Sequence, residues 1–145
     1  MNFQVASRFI VPLATSLIAF ASAPSLAGDL TVDVHGIRAQ RGLLKIAVVD
    51  SKEAFDGNAA PVQSSGAPAE GATARFEFKN LKPGSYAVMI THDENGNGKL
   101  DSNLMGMPLE GFGFSNNPRV MRKPTWEEAR FEVTDATTVI EIELH

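Results

Sequence analysis

The sequence contains no cysteine. That excludes disulfide staples and a lipid attached through a cysteine, so packing or a bound ion must hold any domain together. Basic patches are also missing. Outside the first 27 residues, 12 basic side chains face 17 acidic ones, a formal charge of −5. A mildly acidic surface does not suit phosphate backbones, which excludes nucleic acid as a partner. Apolar residues at helical spacing are nowhere sustained over three turns. No Gly-x-Ser-x-Gly, Ser-x-x-Lys or Walker-type segment occurs, and Gly111-Phe112-Gly113 is not a dinucleotide fingerprint. Nucleophilic chemistry has no candidate, and the expectation is a protein that is not an enzyme.

Long hydrophobic runs are scarce too. The one clear run is Phe9–Phe20, which follows the positive Arg8 and has the length of a signal-peptide core rather than of a membrane span. Ser25-Leu26-Ala27 offers a small-residue cleavage site, whereas a cut after Ala23 would set Pro24 against the scissile bond. The expectation is a signal peptide over residues 1–27, cut after Ala27, and one domain over 28–145. The protein is then periplasmic or secreted and has no membrane span.

What remains alternates. Leu30, Val32 and Val34 interleave with polar neighbours, the period-two signature of a half-buried strand. Leu43–Val49 is nearly all apolar and reads as a central strand covered on both faces. Ala74, Phe76 and Phe78 share one face, as do Tyr86, Val88 and Ile90, and between them Pro83-Gly84 suits a type II turn. That pattern predicts an antiparallel pair. Ala129, Phe131 and Val133, then Ile140, Ile142 and Leu144, give two further strands. Thr125 and Glu128 have capping-box spacing for one helical turn. Ser51–Gly71 is rich in small residues and reads as a long mobile loop anchored at Phe55. Six short strands with almost no helix predict an all-β antiparallel sandwich of immunoglobulin-like or transthyretin-like build.

The stretch Asp93-Glu-Asn-Gly-Asn-Gly-Lys-Leu-Asp101 carries the functional signal. Calcium takes six to eight oxygens, which a loop supplies when ligands recur at every second residue around a glycine. With Asp93 as position 1, Asn95, Asn97 and Asp101 fall at positions 3, 5 and 9 of the EF-hand loop. Gly98 is then position 6, and Lys99 offers its carbonyl at position 7. Position 12, which needs a carboxylate, is Leu104, and no helix follows. A last ligand would have to come from elsewhere, Glu110 being the nearest downstream carboxylate and Glu94 the next choice. The same residues also suit a metal-free turn, because Asn, Asp and Gly are what tight connections prefer. Both readings stand on sequence alone. Phe112, Phe114 and Asn116 form a second candidate, two aromatics and an amide able to stack on a glycan or a partner protein, or else to pack and cap the loop. His92, beside the loop, reads as packed or solvent-facing rather than catalytic.

Phe76-x-Phe78-x-x-Leu81-x-Pro83-Gly84-x-Tyr86-x-Val88 resembles the strand-turn-strand of transthyretin-like and carboxypeptidase-regulatory-like sandwiches. With His92-Asp93-x-Asn95-x-Asn97-Gly98-x-Leu100-Asp101 and Gly106-x-Pro108-x-Glu110-Gly111-Phe112-Gly113-Phe114-Ser115-Asn116-Asn117, nearly the whole chain after residue 27 is similar to a bacterial exported family, domain-of-unknown-function family 2141. The resemblance implies an exported β-sandwich without an established activity, and makes the loop a family feature. The combined expectation is a non-enzymatic module with a structural Ca2+ loop, set against a metal-free module that holds a protein or glycan through residues 106–117.

Overall fold

A computed structural model describes residues 27–145, so the expected signal peptide lies, apart from Ala27, outside the described residues. In chain order the elements are β1 (Gly28–His35), β2 (Leu43–Val49), α1 (Lys52–Phe55), β3 (Gln63–Pro68), β4 (Ala74–Leu81), β5 (Gly84–Asp93), β6 (Gly111–Phe114), α2 (Trp126–Ala129), β7 (Phe131–Val133) and β8 (Thr138–Glu143). They form an all-β sandwich of two sheets, ordered β4-β1-β8 and β3-β2-β5-β6, with β7 also on β5. The two late strands share one edge of β5: β7 lies opposite Gly84–Tyr86 and β6 opposite Met89–His92. The strands pair antiparallel except at β1 and β8, which run parallel with Val32 opposite Ile140.

Alternation explains the packing. Leu30, Val32, Val34, Phe76, Phe78 and Ile142 point inward from one sheet, and Leu44, Ile46, Val48, Tyr86, Val88 and Ile90 from the other. Fully burying each such side chain contributes roughly 1.5–3 kcal/mol. A smaller cluster sits on the outer face of the second sheet, where α1 and α2 lay Phe55 and Ala129 over Val49 and Ala87. The two sheets also meet at one corner, where His145 donates to the Phe112 carbonyl at 2.9 Å.

Several expectations need correction. The strands flanking Pro83-Gly84 do not pair with each other: β4 pairs with β1 and β5 with β2, so the connection crosses between sheets. Gly84 has φ 159°, far from the about 80° of a type II turn, and Asn80 takes the left-handed conformation (φ 60°). One extra residue there shifts the β1–β4 register, a bulge placed just before the chain crosses to the other sheet. Ser51–Gly71 is not an unstructured loop. Ser51 caps α1, and β3 within it forms the edge of the second sheet against β2. Strand β2 is buried on its inner face, while Lys45 and Ala47 on its outer face are only half-buried. Ala129 ends α2 instead of opening a strand, and the capping box between Thr125 and Glu128 forms as its spacing predicts. Among the described residues, no helix is long and apolar enough to cross a membrane.

Candidate cation loop and its surroundings

Strand β5 delivers the loop. Its last residues, His92 and Asp93, are both buried, and the chain then turns through Gly96 and Gly98 at positive φ (72° and 84°). These are the two positions where the glycines are required, because other side chains meet steric cost there. The Asp93 carboxylate organises the turn. Its Oδ1 accepts from the Asn97 N–H at 3.1 Å, and its Oδ2 accepts from the Gly98 N–H at 2.8 Å and from Lys45 Nζ at 2.9 Å. The Lys45 ammonium, aided by the backbone N–H of Gly98 and Gly96, holds the Asp93 carboxyl below its usual value against the opposing effect of burial.

The remaining loop side chains turn toward one another. Asn95 Nδ2 donates to Asp101 Oδ2 at 2.6 Å, and Asn97 Nδ2 lies 3.0 Å from both Asp101 oxygens. Asn95 Oδ1 accepts from the Asn97 N–H and Asn97 Oδ1 from the Lys99 N–H. Asp93, Asn95, Asn97 and Asp101 therefore share one small volume, linked through Asn97. Lys99 itself is exposed, and Leu104, at the formal twelfth position, faces solvent.

Glu110 is brought to the loop from downstream and is buried. Its Oε1 accepts from the Glu94 and Asn95 N–H groups at 2.9 and 3.4 Å, and its Oε2 from the Asp101 N–H at 3.0 Å. Both oxygens thus brace the loop backbone. Glu94 points the other way, to Arg38 Nε at 2.7 Å and the Gly111 N–H at 3.3 Å. Among the described residues no three His, Asp or Glu side chains cluster as a metal set, so any cation here would rely on amide and main-chain oxygens beside Asp93 and Asp101.

His92 is fully buried. Its Nε2 lies 2.7 Å from the Arg41 carbonyl, which can only accept, so Nε2 carries the hydrogen. Nδ1 then has no hydrogen-bond partner, with Glu94 Oε1 4.0 Å away.

The 111–117 segment is not a free aromatic loop. Gly111–Phe114 is β6, with both glycines on the inner face and both phenylalanines half-buried on the outer one. Phe114 packs 5.9 Å from the Phe55 ring, and Phe112 sits 6.2 Å from Phe114. Asn116, at φ 65°, donates to the Glu128 and Arg130 carbonyls. Ser115 joins the Val88 N–H to the Ala129 carbonyl, and Asn117 ties Glu141 and Glu143 of β8. Ser115 and Asn116 both hold the end of α2, Ser115 joining it to β5, and Asn117 holds β8.

Sequence reasoning missed Lys45 and Arg38, the two cations against the loop. Alternation places Lys45 on an outer face, but only the β2–β5 register sets it beside Asp93.

Residues 32–141 match the model of a family described as Uncharacterized protein conserved in bacteria (DUF2141). No curated protein and no solved structure matches the chain.

Proposed function

The chain belongs to this DUF2141 family of bacterial proteins, and from the signal-like run Phe9–Phe20, the lack of a nucleophilic motif and the loop geometry we propose that it is an exported, non-enzymatic β-sandwich module whose 93–101 loop holds calcium for structure. One observation carries the reading: Asn95 and Asn97 turn their amides onto the Asp101 carboxylate, while the Asn97 N–H bonds both the Asp93 carboxylate and the Asn95 amide oxygen, so all four residues border one turn. An ion at that point takes oxygens from these four residues and the Lys99 carbonyl, while Glu110 holds the loop backbone in place from behind. Two carboxylates make a weak site, about 10⁻⁴–10⁻³ M, in the range of extracellular calcium modules.

Lys45 favours the competing, metal-free reading. Its ammonium already neutralises Asp93, and the Asx hydrogen bonds close the turn unaided. On that reading the module holds a protein or glycan through residues 106–117, with Phe112 and Phe114 as the half-exposed rings.

Thermal unfolding in a calcium titration separates the two. Calcium at tenfold excess over its dissociation constant is expected to stabilise by about 1.4 kcal/mol. Asp101→Asn removes a ligand charge without touching the hydrogen bonds Asp93 makes, and is expected to abolish the shift while leaving the calcium-free melting temperature nearly unchanged. A parent protein indifferent to millimolar calcium would leave the metal-free turn standing.

A further inference from the structure

Residues 101–109 hold the densest group of solvent-facing apolar side chains among the described residues. Leu104 is 107% exposed, Met105 85%, Leu109 57% and Met107 45%. Scattered exposed leucines are ordinary, but a contiguous set marks an interaction surface. The backbone beneath them is a closed finger. Leu109 N–H donates to the Asp101 carbonyl at 2.7 Å, Asn103 N–H to the Met107 carbonyl at 2.8 Å and Gly106 N–H to the Asn103 carbonyl at 2.9 Å. Asn103 Oδ1 accepts from the N–H groups of Met105 and Met107. At the base, Glu110 holds the Asp101 N–H and the Arg38 guanidinium donates to the Leu109 carbonyl.

Two features select the partner. Residues 102–109 carry no charge, and the N–H groups of residues 103, 105, 106, 107 and 109 are bonded inside the finger, while Pro108 has none. Internal bonding of most backbone N–H groups lowers the cost of approaching hydrocarbon and leaves few donors through which a protein would read the tip, while the tip carbonyls and the Leu104 N–H stay at headgroup depth. The loops beside the finger expose Arg41 and Lys99, cations suited to anionic headgroups, while Arg38 is held by Glu94 and the Leu109 carbonyl. We infer that the finger docks the protein on an anionic lipid surface, with Leu104 and Met105 entering the acyl boundary and Arg41 and Lys99 facing the headgroups. Docking needs no ion in the 93–101 loop. It is weak and reversible, because a single myristoyl chain, with more apolar surface, reaches only about 10⁴ M⁻¹.

Flotation with vesicles tests this. Protein in its processed form, its N-terminus checked by mass, is mixed in chelator with vesicles of phosphatidylcholine alone or doped with phosphatidylglycerol. The parent is expected to float with the doped vesicles, and less with the undoped ones or at high salt. Leu104→Ser/Met105→Ser is expected to weaken binding about tenfold or more, with an unchanged melting temperature because both side chains lie in solvent. Undiminished binding by that variant, or no parental binding at millimolar lipid, overturns the inference. A concentration-dependent dimer of the parent, lost in the same variant, overturns it in favour of a second copy of the chain. Because chelator is present throughout, these outcomes are independent of whether the loop takes calcium.

Discussion

Glu110 and Asp101 are both acids of the same loop, yet the structure gives them separable jobs. Glu110 is buried and engages three main-chain N–H groups, whereas Asp101 is half-buried and its carboxylate meets only two side-chain amides. Glu110→Gln sets an amide N–H2 where a buried N–H needs an acceptor, and is expected to destabilise by about 1–3 kcal/mol. A urea midpoint measures the loss, and hydrogen exchange at residues 94–101 should quicken with it. An unchanged midpoint would show that the brace contributes nothing. The sequence made half of this legible. Spacing named Asp93, Asn95, Asn97 and Asp101 and brought in a downstream carboxylate, because ligand periodicity is local. It did not reveal that the oxygens of Glu110 face the main chain, since direction is set by the path from residue 101 to residue 110. Nor did it reveal Lys45, which arrives from another strand.

Among the strands, β6 teaches most. Its Gly-Phe-Gly-Phe reads as loosened backbone carrying two aromatics, but the glycines answer to the opposite sheet. A Cβ on Gly113 would stand 2.6 Å from Ile142 Cγ2 and 3.0 Å from the Glu143 carbonyl, and β8 has little room to retreat. Gly113→Ala is expected to cost about 1–3 kcal/mol as an overpacking change, read as a lowered urea midpoint. Gly111→Ala, whose nearest new contact is 3.2 Å from His92 Cβ, should cost less. If the two variants matched the parent, β6 would not be pressed against β8. The strands that alternate, β1, β4, β5 and β8, and the apolar run of β2 were all visible in the sequence. Strand β3 was not, because Gln-Ser-Ser-Gly-Ala-Pro buries little and owes its extension to hydrogen bonds with β2. The Pro83-Gly84 hairpin failed for a related reason: turn residues report a local reversal and say nothing of which sheet the next strand joins.

Across the whole molecule, acids are paired with bases on both sheets and both helices. Lys79 lowers Asp29, Arg75 lowers Asp33, Lys52 lowers Asp56 and Lys45 lowers Asp93, each below the usual carboxylate value. The two-pronged Arg122 contact, with the Thr125 N–H, takes Glu128 from 4.5 to about 2. A carboxyl lowered on folding stabilises fully above its unfolded value, and loses that contribution as pH falls through its folded one. The urea midpoint should therefore stay flat from neutrality to about pH 5, then drop progressively toward pH 2. Strong salt should flatten the drop, because most of these pairs are solvent-exposed and screened. Glu128→Gln should differ from the parent at pH 6 and converge on it near pH 2. A midpoint rising below pH 4 would contradict the scheme. The cross-strand partnerships were not legible beforehand, since Asp33 with Arg75 and Asp93 with Lys45 meet only through strand register, whereas Glu128 with the Thr125 N–H followed from local spacing. The parallel ladder between β1 and β8 is of the same kind, and it joins the two extremities of the described chain. A polypeptide delivered from its first residue onward, by a ribosome or through a translocation channel, holds Leu30 long before Ile142 arrives. The final strand is therefore a latch: until it emerges, the first sheet keeps one side of β1 unzipped and the nascent chain stays open.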